Sequence, residues 1–222
     1  MTAAVVALLA FLSGAGTAAV WGWLDEHHQV LVEGAGVVDM DGNRAEVDLL
    51  TDGLTPEQIE DVAAGQADEA AHPGAGVKTR FRAPSVNLDV PLRSLRVVGG
   101  VITPPGFTSA YTVSNLGVQL PAASQGTVYV AMHSMRGRGV APGDYLFDTV
   151  TGASKLNVGD TLTVGEVTYV VDETLAVSKA ALPDEHWLWA PEPGRLVVIT
   201  CLQVRAATPS VDNFVVVAHL AE

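Results

Sequence analysis

From residue 77 onward the apolar residues come in short runs of β type, set off by turn residues. Candidate strands are 79–83, 87–91, 127–132, 161–164, 167–176, 195–201 and 213–219. Leu156-Asn157-Val158-Gly159-Asp160 reads as a turn feeding a strand, and Val164-Gly165-Glu166-Val167 as a hairpin connection in which Gly165 is free to take a positive φ. Thr168-Tyr169-Val170-Val171 and Leu196-Val197-Val198-Ile199 read as core strands. Strand after strand without a strong helical stretch predicts an all-β barrel or sandwich. The alternation breaks at residues 177–194, a long connection for a compact domain and therefore a candidate functional loop. Two readings of it stand side by side: Trp187 and Trp189 cap the core, or they line a substrate site together with Leu182.

Upstream of residue 77 the pattern is different. Residues 1–24 carry no charged side chain and end in Trp21 and Trp23, followed by Asp25 and Glu26. About 20 apolar residues cross a bilayer as a helix, and aromatic residues belong at its interface. The segment is expected to be an uncleaved transmembrane anchor. A cleaved signal peptide is the competing reading, but there is no basic residue before Leu24 and Trp-Gly-Trp-Leu is a poor cleavage context. Residues 25–76 read as an acidic stalk. Inside it, Thr55-Pro56-Glu57-Gln58 predicts a helix start, with Thr55 capping, Pro56 at the first helical position and Gln58 closing a capping box. Residues 77–222 form the predicted β domain.

Composition sharpens this division. Of 222 residues, 48% are apolar, with 22 Gly and 12 Pro, which suits an ordered, turn-rich chain. The net charge of −13 is concentrated in the stalk: residues 25–69 hold 13 of the 25 acids and one base, Arg44. Residues 77–222 hold 12 acids and 11 bases, so the β domain is near neutral. No basic patch supports nucleic-acid binding, and the acidic stretch reads as a solvated, self-repelling spacer.

There is one Cys, so no internal disulfide forms, and a lone Cys pairs with another chain, packs as a small hydrophobe, or reacts. Its setting favours reaction. Arg195-Leu196-Val197-Val198-Ile199-Thr200-Cys201 is an apolar strand ending in Thr-Cys, and Thr127-Val128-Tyr129-Val130-Ala131-Met132-His133-Ser134 is one ending in His-Ser. A strand end holds a reactive side chain rigidly. A thiol and an imidazole distant in sequence and adjacent in the fold are what cysteine acyl transfer needs. The remaining histidines, His27, His28, His72, His186 and His219, have no such setting, and no spacing suggests a metal site. Acid pairs such as Asp172-Glu173 and Asp184-Glu185 read as exposed loop carboxylates. No cofactor is expected.

From residue 78 to the C-terminus the chain resembles the sortase family. Arg80-Phe81-Arg82-Ala83-Pro84 and Leu88-Asp89-Val90-Pro91-Leu92 look like its opening strands. Thr127 to Ser134 is similar to the family's "G-x-x-V-x-x-G-H-S", with Met132 in place of Gly. Phe147 followed by Leu156-Asn157-Val158-Gly159-Asp160 matches "F…L-x-x-G-D". Leu196 to Cys201 matches "L-x-L-I/V-T-C", and Val215-Val216-Val217-Ala218 matches the last strand. The resemblance implies a closed eight-stranded β-barrel with short helices. It implies a cysteine transpeptidase that forms a thioacyl intermediate on Cys201, with His133 as general acid and base and Thr200 orienting substrate. By the same resemblance its partners are surface proteins bearing an LPxTG-type sorting motif and an amine acceptor in the cell wall or on a pilin. It places a single-pass protein in the cell membrane, with the catalytic domain outside. One position departs: Asn213 stands where the family has an Arg that stabilises the oxyanion or positions the peptide. Arg205, four residues after Cys201, is the expected substitute, with Asn213 an alternative hydrogen-bond donor. Met132 and Asn213 also support a rival reading, a catalytically silent, membrane-tethered barrel that binds peptides or scaffolds an envelope assembly.

Overall fold

A computed structural model describes residues 38–44, 55–58, 60, 64, 77–137, 139–205 and 209–222. The expected anchor at 1–24 and most of the stalk lie outside the described residues. Among the described residues no helix is long and apolar enough to cross a membrane.

Eight strands close into one barrel: β1 (Arg80–Ala83), β2 (Leu88–Leu95), β3 (Ala110–Val113), β4 (Thr127–Ala131), β5 (Thr161–Val164), β6 (Val167–Ser178), β7 (Arg195–Cys201) and β8 (Asp212–Leu220). Their order around the wall is β1-β2-β3-β4-β7-β8-β6-β5. Seven coincide with the sequence-predicted runs to within a few residues. The eighth, β3, went unread: Ala110-Tyr111-Thr112-Val113 is four residues long, buried on both faces, and has no alternation to reveal it. Gly165 turns β5 into β6 at φ 66°, as its place in the hairpin demands.

Two neighbouring pairs are parallel, β2–β3 and β4–β7, and parallel neighbours need long crossovers. Residues 96–109 and 132–194 supply them. These crossovers cover the outside of the sheet, so β4 and β7 are buried on both faces and read as unbroken apolar runs. Val128, Val130, Met132, Leu196, Val198, Phe214 and Val216 fill the barrel interior with Phe81, Leu162 and Tyr169. Tyr129, Ala131, Val197, Ile199, Val215 and Val217 face outward into a second apolar layer, closed by Leu188 and, in part, by Leu182 and Trp189.

Part of the stalk packs on this barrel. Met40 donates its N–H to Val140 O and its side chain packs against the interior cluster. Asp39 is buried, with its carboxylate accepting from the backbone of Asp41, Asn43 and Val140. Residues 38–44 are therefore a docked clip rather than free spacer. The predicted capping box forms: Thr55 N–H reaches Gln58 Oε1 at 2.8 Å, and Gln58 N–H reaches Thr55 Oγ1 at 3.3 Å.

Candidate active site

The parallel register of β4 and β7 sets the site. Thr127 lies beside Arg195, and the pairing runs without a break to Ala131 beside Ile199. Met132 N–H still bonds Ile199 O, at 3.2 Å, one residue beyond the strand. Continued two residues further, past the end of β4, that register would bring His133 level with Cys201, with neighbouring strands about 4.8 Å apart. Alternation gives both side chains the same direction. Met132 points into the barrel, so His133, like Ala131, points out; Ile199 points out, and so does Cys201. Antiparallel β8 places Asn213 directly opposite Cys201, and β6 places Val177 opposite Asn213. A row of outward residues thus crosses four strands: His133, Cys201, Asn213, Val177.

The crossover at 96–109 folds over the imidazole. Phe107 stacks on His133 with ring centroids 4.1 Å apart and planes 12° from parallel. His133 Nε2 lies 2.8 Å from Pro104 O. A carbonyl oxygen only accepts, so Nε2 carries the proton of the neutral ring and Nδ1 keeps its lone pair. The residue retains some solvent-exposed surface, with Phe107 covering one face of its ring and Pro104 O closing Nε2. Burial pushes its pKa down to about 4; the Pro104 hydrogen bond opposes this, and the Lys179 charge adds to it. At neutral pH His133 is therefore an uncharged base.

The inner side of the same strand ends is held by hydroxyls and a buried acid. Ser134 Oγ and Thr200 Oγ1 are 2.8 Å apart and buried. Thr200 therefore neighbours Cys201 in sequence but spends its hydroxyl on the opposite face. Gly143 N–H bonds His133 O at 2.8 Å. A Cβ at Gly143 would land on Thr200 Oγ1 and Ser134 Oγ, and 2.7 Å from His133 O, so only glycine fits. Asp144 accepts from Ala141 N–H at 2.8 Å and from Met135 N–H at 3.1 Å. It thereby fixes the turn that follows His133. Burial raises its pKa to about 6 against those hydrogen bonds and the charges of Arg205 and Lys155.

The other expected site residues are spread more widely. Arg205 is exposed, with its N–H on Thr149 O at 2.8 Å, and it lines a cavity with Val140, Asp144, Tyr145, Thr149 and Lys155. Its charge acts on Asp144, whereas the charge acting on His133 is that of Lys179. Trp189 stacks on Tyr129 at 5.7 Å and donates Nε1–H to Leu182 O at 2.8 Å. Trp187 is 42% exposed, and its carbonyl accepts from Arg195 Nη1. Arg195 stands six residues before Cys201, about 20 Å along the strand. Trp189 thus covers part of the outer layer, with Leu182 packed against it, while Trp187 stays exposed with its Nε1–H on Glu185. His219 pairs on the surface with Asp172 at 2.6 Å. Among the described residues no group of three His, Cys, Asp or Glu could hold a metal. Pro104, Phe107, Asp144 and Lys179 were not foreseen; the Pro104-Pro105-Gly106-Phe107 turn was the one available signal, and it names no partner.

No protein-family model matches the chain, and no curated protein does. It is similar to solved sortase structures at low identity. Sortase A of Listeria monocytogenes is 21% identical, with a TM-score of 0.46, over 66% of this chain and 88% of that one. Sortase C1 from Streptococcus agalactiae is 18% identical, with a TM-score of 0.44, over 73% and 76%. A lid mutant of sortase A from Corynebacterium diphtheriae is 13% identical, with a TM-score of 0.46, over 76% and 96%.

Proposed function

We propose that this protein is a sortase-like cysteine transpeptidase. The observation that supports the reading is the parallel β4–β7 register, which, continued two residues past Ala131 and Ile199, brings His133 level with Cys201. A neutral imidazole with a free Nδ1 is suited to take the thiol proton. The thiolate then attacks the scissile carbonyl of an extended sorting-type peptide. The S–C bond forms, the peptide C–N bond breaks, and His133 returns the proton to the leaving amine. An amine acceptor reverses the sequence and carries the acyl group away. In this reading residues 1–24 tether the barrel to the cell membrane, with the catalytic domain outside, and the acceptor belongs to the cell wall or a pilin.

The test uses the chain with an LPxTG-type peptide and a small amine, followed by mass analysis of the products. Transfer of the acyl fragment to the amine is expected, and Cys201→Ala abolishes it. Retention of transfer in Cys201→Ala sinks the mechanism. Binding of the peptide without any product identifies the silent barrel instead, a reading favoured by buried Asn213 opposite Cys201.

A further inference from the structure

The oxyanion that thiolate attack creates on Cys201 is stabilised by a donor or a cation beside it, and Asn213 offers only a neutral amide. The sheet brings a different residue to that place. Val177 pairs with Asn213 and Ser178 with Asp212, and the ladder continues with Lys179 N–H bonding Val211 O at 2.9 Å. Lys179 follows β6 directly, two residues past Val177 of the row that holds Cys201 and Asn213, and its charge acts on His133. It is partly buried at the edge of the outer apolar layer. Among the described residues its ammonium pairs with no carboxylate. A half-buried lysine without an acid, held where its charge is felt by an imidazole, is poorly explained as packing. Its four-carbon stem gives the ammonium reach and three donors.

We propose that Lys179 is the cation that stabilises the oxyanion formed on Cys201, in the position Arg205 was expected to fill. The inference rests on the acyl-transfer reading of Cys201, but not on the identity of the peptide or the acceptor.

The probe is p-nitrophenyl acetate. The Cys201 sulfur bonds to the acetyl carbon, the ester C–O bond breaks, p-nitrophenolate leaves, and the thiol proton passes to His133 and then to water. Iodoacetamide alkylates the same sulfur without forming an oxyanion. Both rates are followed by intact mass, with Cys201→Ala as the blank. Lys179→Met is expected to slow acylation about 10²-fold, the usual cost of losing an oxyanion donor, and to leave alkylation unchanged. Lys179→Gln repeats the loss in a polar side chain, and Lys179→Arg restores the rate. Equal falls in acylation and alkylation, or no fall in either, overturn the proposal. A Lys179-dependent ester rate with no transfer from an LPxTG-type peptide keeps this proposal and removes the substrate reading.

Discussion

Phe107→Ala should release His133 from its depressed titration. Burial holds the wild-type imidazole well below its ordinary value of 6.5, at about 4. Burial is the first cause and the Lys179 charge a lesser one. The Phe107 ring, stacked on the imidazole at 4.1 Å, is a piece of that cover which one substitution removes. With an alanine there, water reaches the ring and the midpoint should rise by about one unit or more, since desolvation is the term being relieved. The assay is a proton NMR titration of the histidine Cε1–H signals, with His133→Gln to assign the resonance. Lys179→Met should raise the midpoint less than Phe107→Ala does. A midpoint that stays near 4 in Phe107→Ala while rising in Lys179→Met would show that charge, not burial, sets the titration. A wild-type midpoint near 6.5 would refute the enclosure of His133 altogether.

Gly143→Ala should lower the thermal midpoint, because the new methyl meets the Ser134–Thr200 hydroxyl pair and His133 O; overpacking of this kind costs about 1–3 kcal/mol, and an unchanged midpoint contradicts it. Ser134→Ala leaves the buried Thr200 hydroxyl without its partner and should cost about 1–3 kcal/mol in urea unfolding, whereas Ser134→Ala with Thr200→Val should cost less than the sum of the single changes. The two buried titrating groups act on stability with opposite signs. His133, with its folded pKa lowered to about 4, contributes stability that is complete above pH 6.5 and is lost as pH falls toward 4. Asp144, with its folded pKa raised to about 6, contributes stability that is complete below about pH 3.8 and is lost as pH rises through 6. Their slopes oppose each other between about pH 4 and 6, so Asp144→Asn should make the protein lose stability more steeply on acidification, as read from urea midpoints across that range.

The barrel was legible because most of its strands announce themselves. Residues 161–164 and 167–176 flank a glycine turn, and 195–201 is an unbroken apolar run that only a strand buried on both faces needs. Ala110–Val113 was invisible because its pairing with β2 and β4 is decided by partners far along the chain, not by its own pattern. The candidate site divides in the same way. Cys201 and His133 each end a recognisable strand, and equal spacing from Thr127 and Arg195 brings them level. Lys179 reaches the site through β6 and β8, and Phe107 through a crossover, so their roles depend on register and tertiary closure that no local motif encodes. Trp187 shows the converse: a conspicuous residue in a conspicuous loop whose backbone is held by Arg195, at the other end of β7 from Cys201. The acidic stalk was read from its charge alone, and that reading missed how Asp39 spends its carboxylate on the backbone of Asn43 and Val140.

The pairing of His133 with Cys201 is tested most directly by the covalent intermediate itself. The protein is mixed with an LPxTG-type peptide in the absence of added amine, quenched in acid and measured as the intact chain. A mass increase equal to the acyl fragment, mapped to Cys201 and absent in His133→Gln, is the expected result. An unmodified Cys201 in the wild-type protein, or an adduct that forms equally well in His133→Gln, would contradict it.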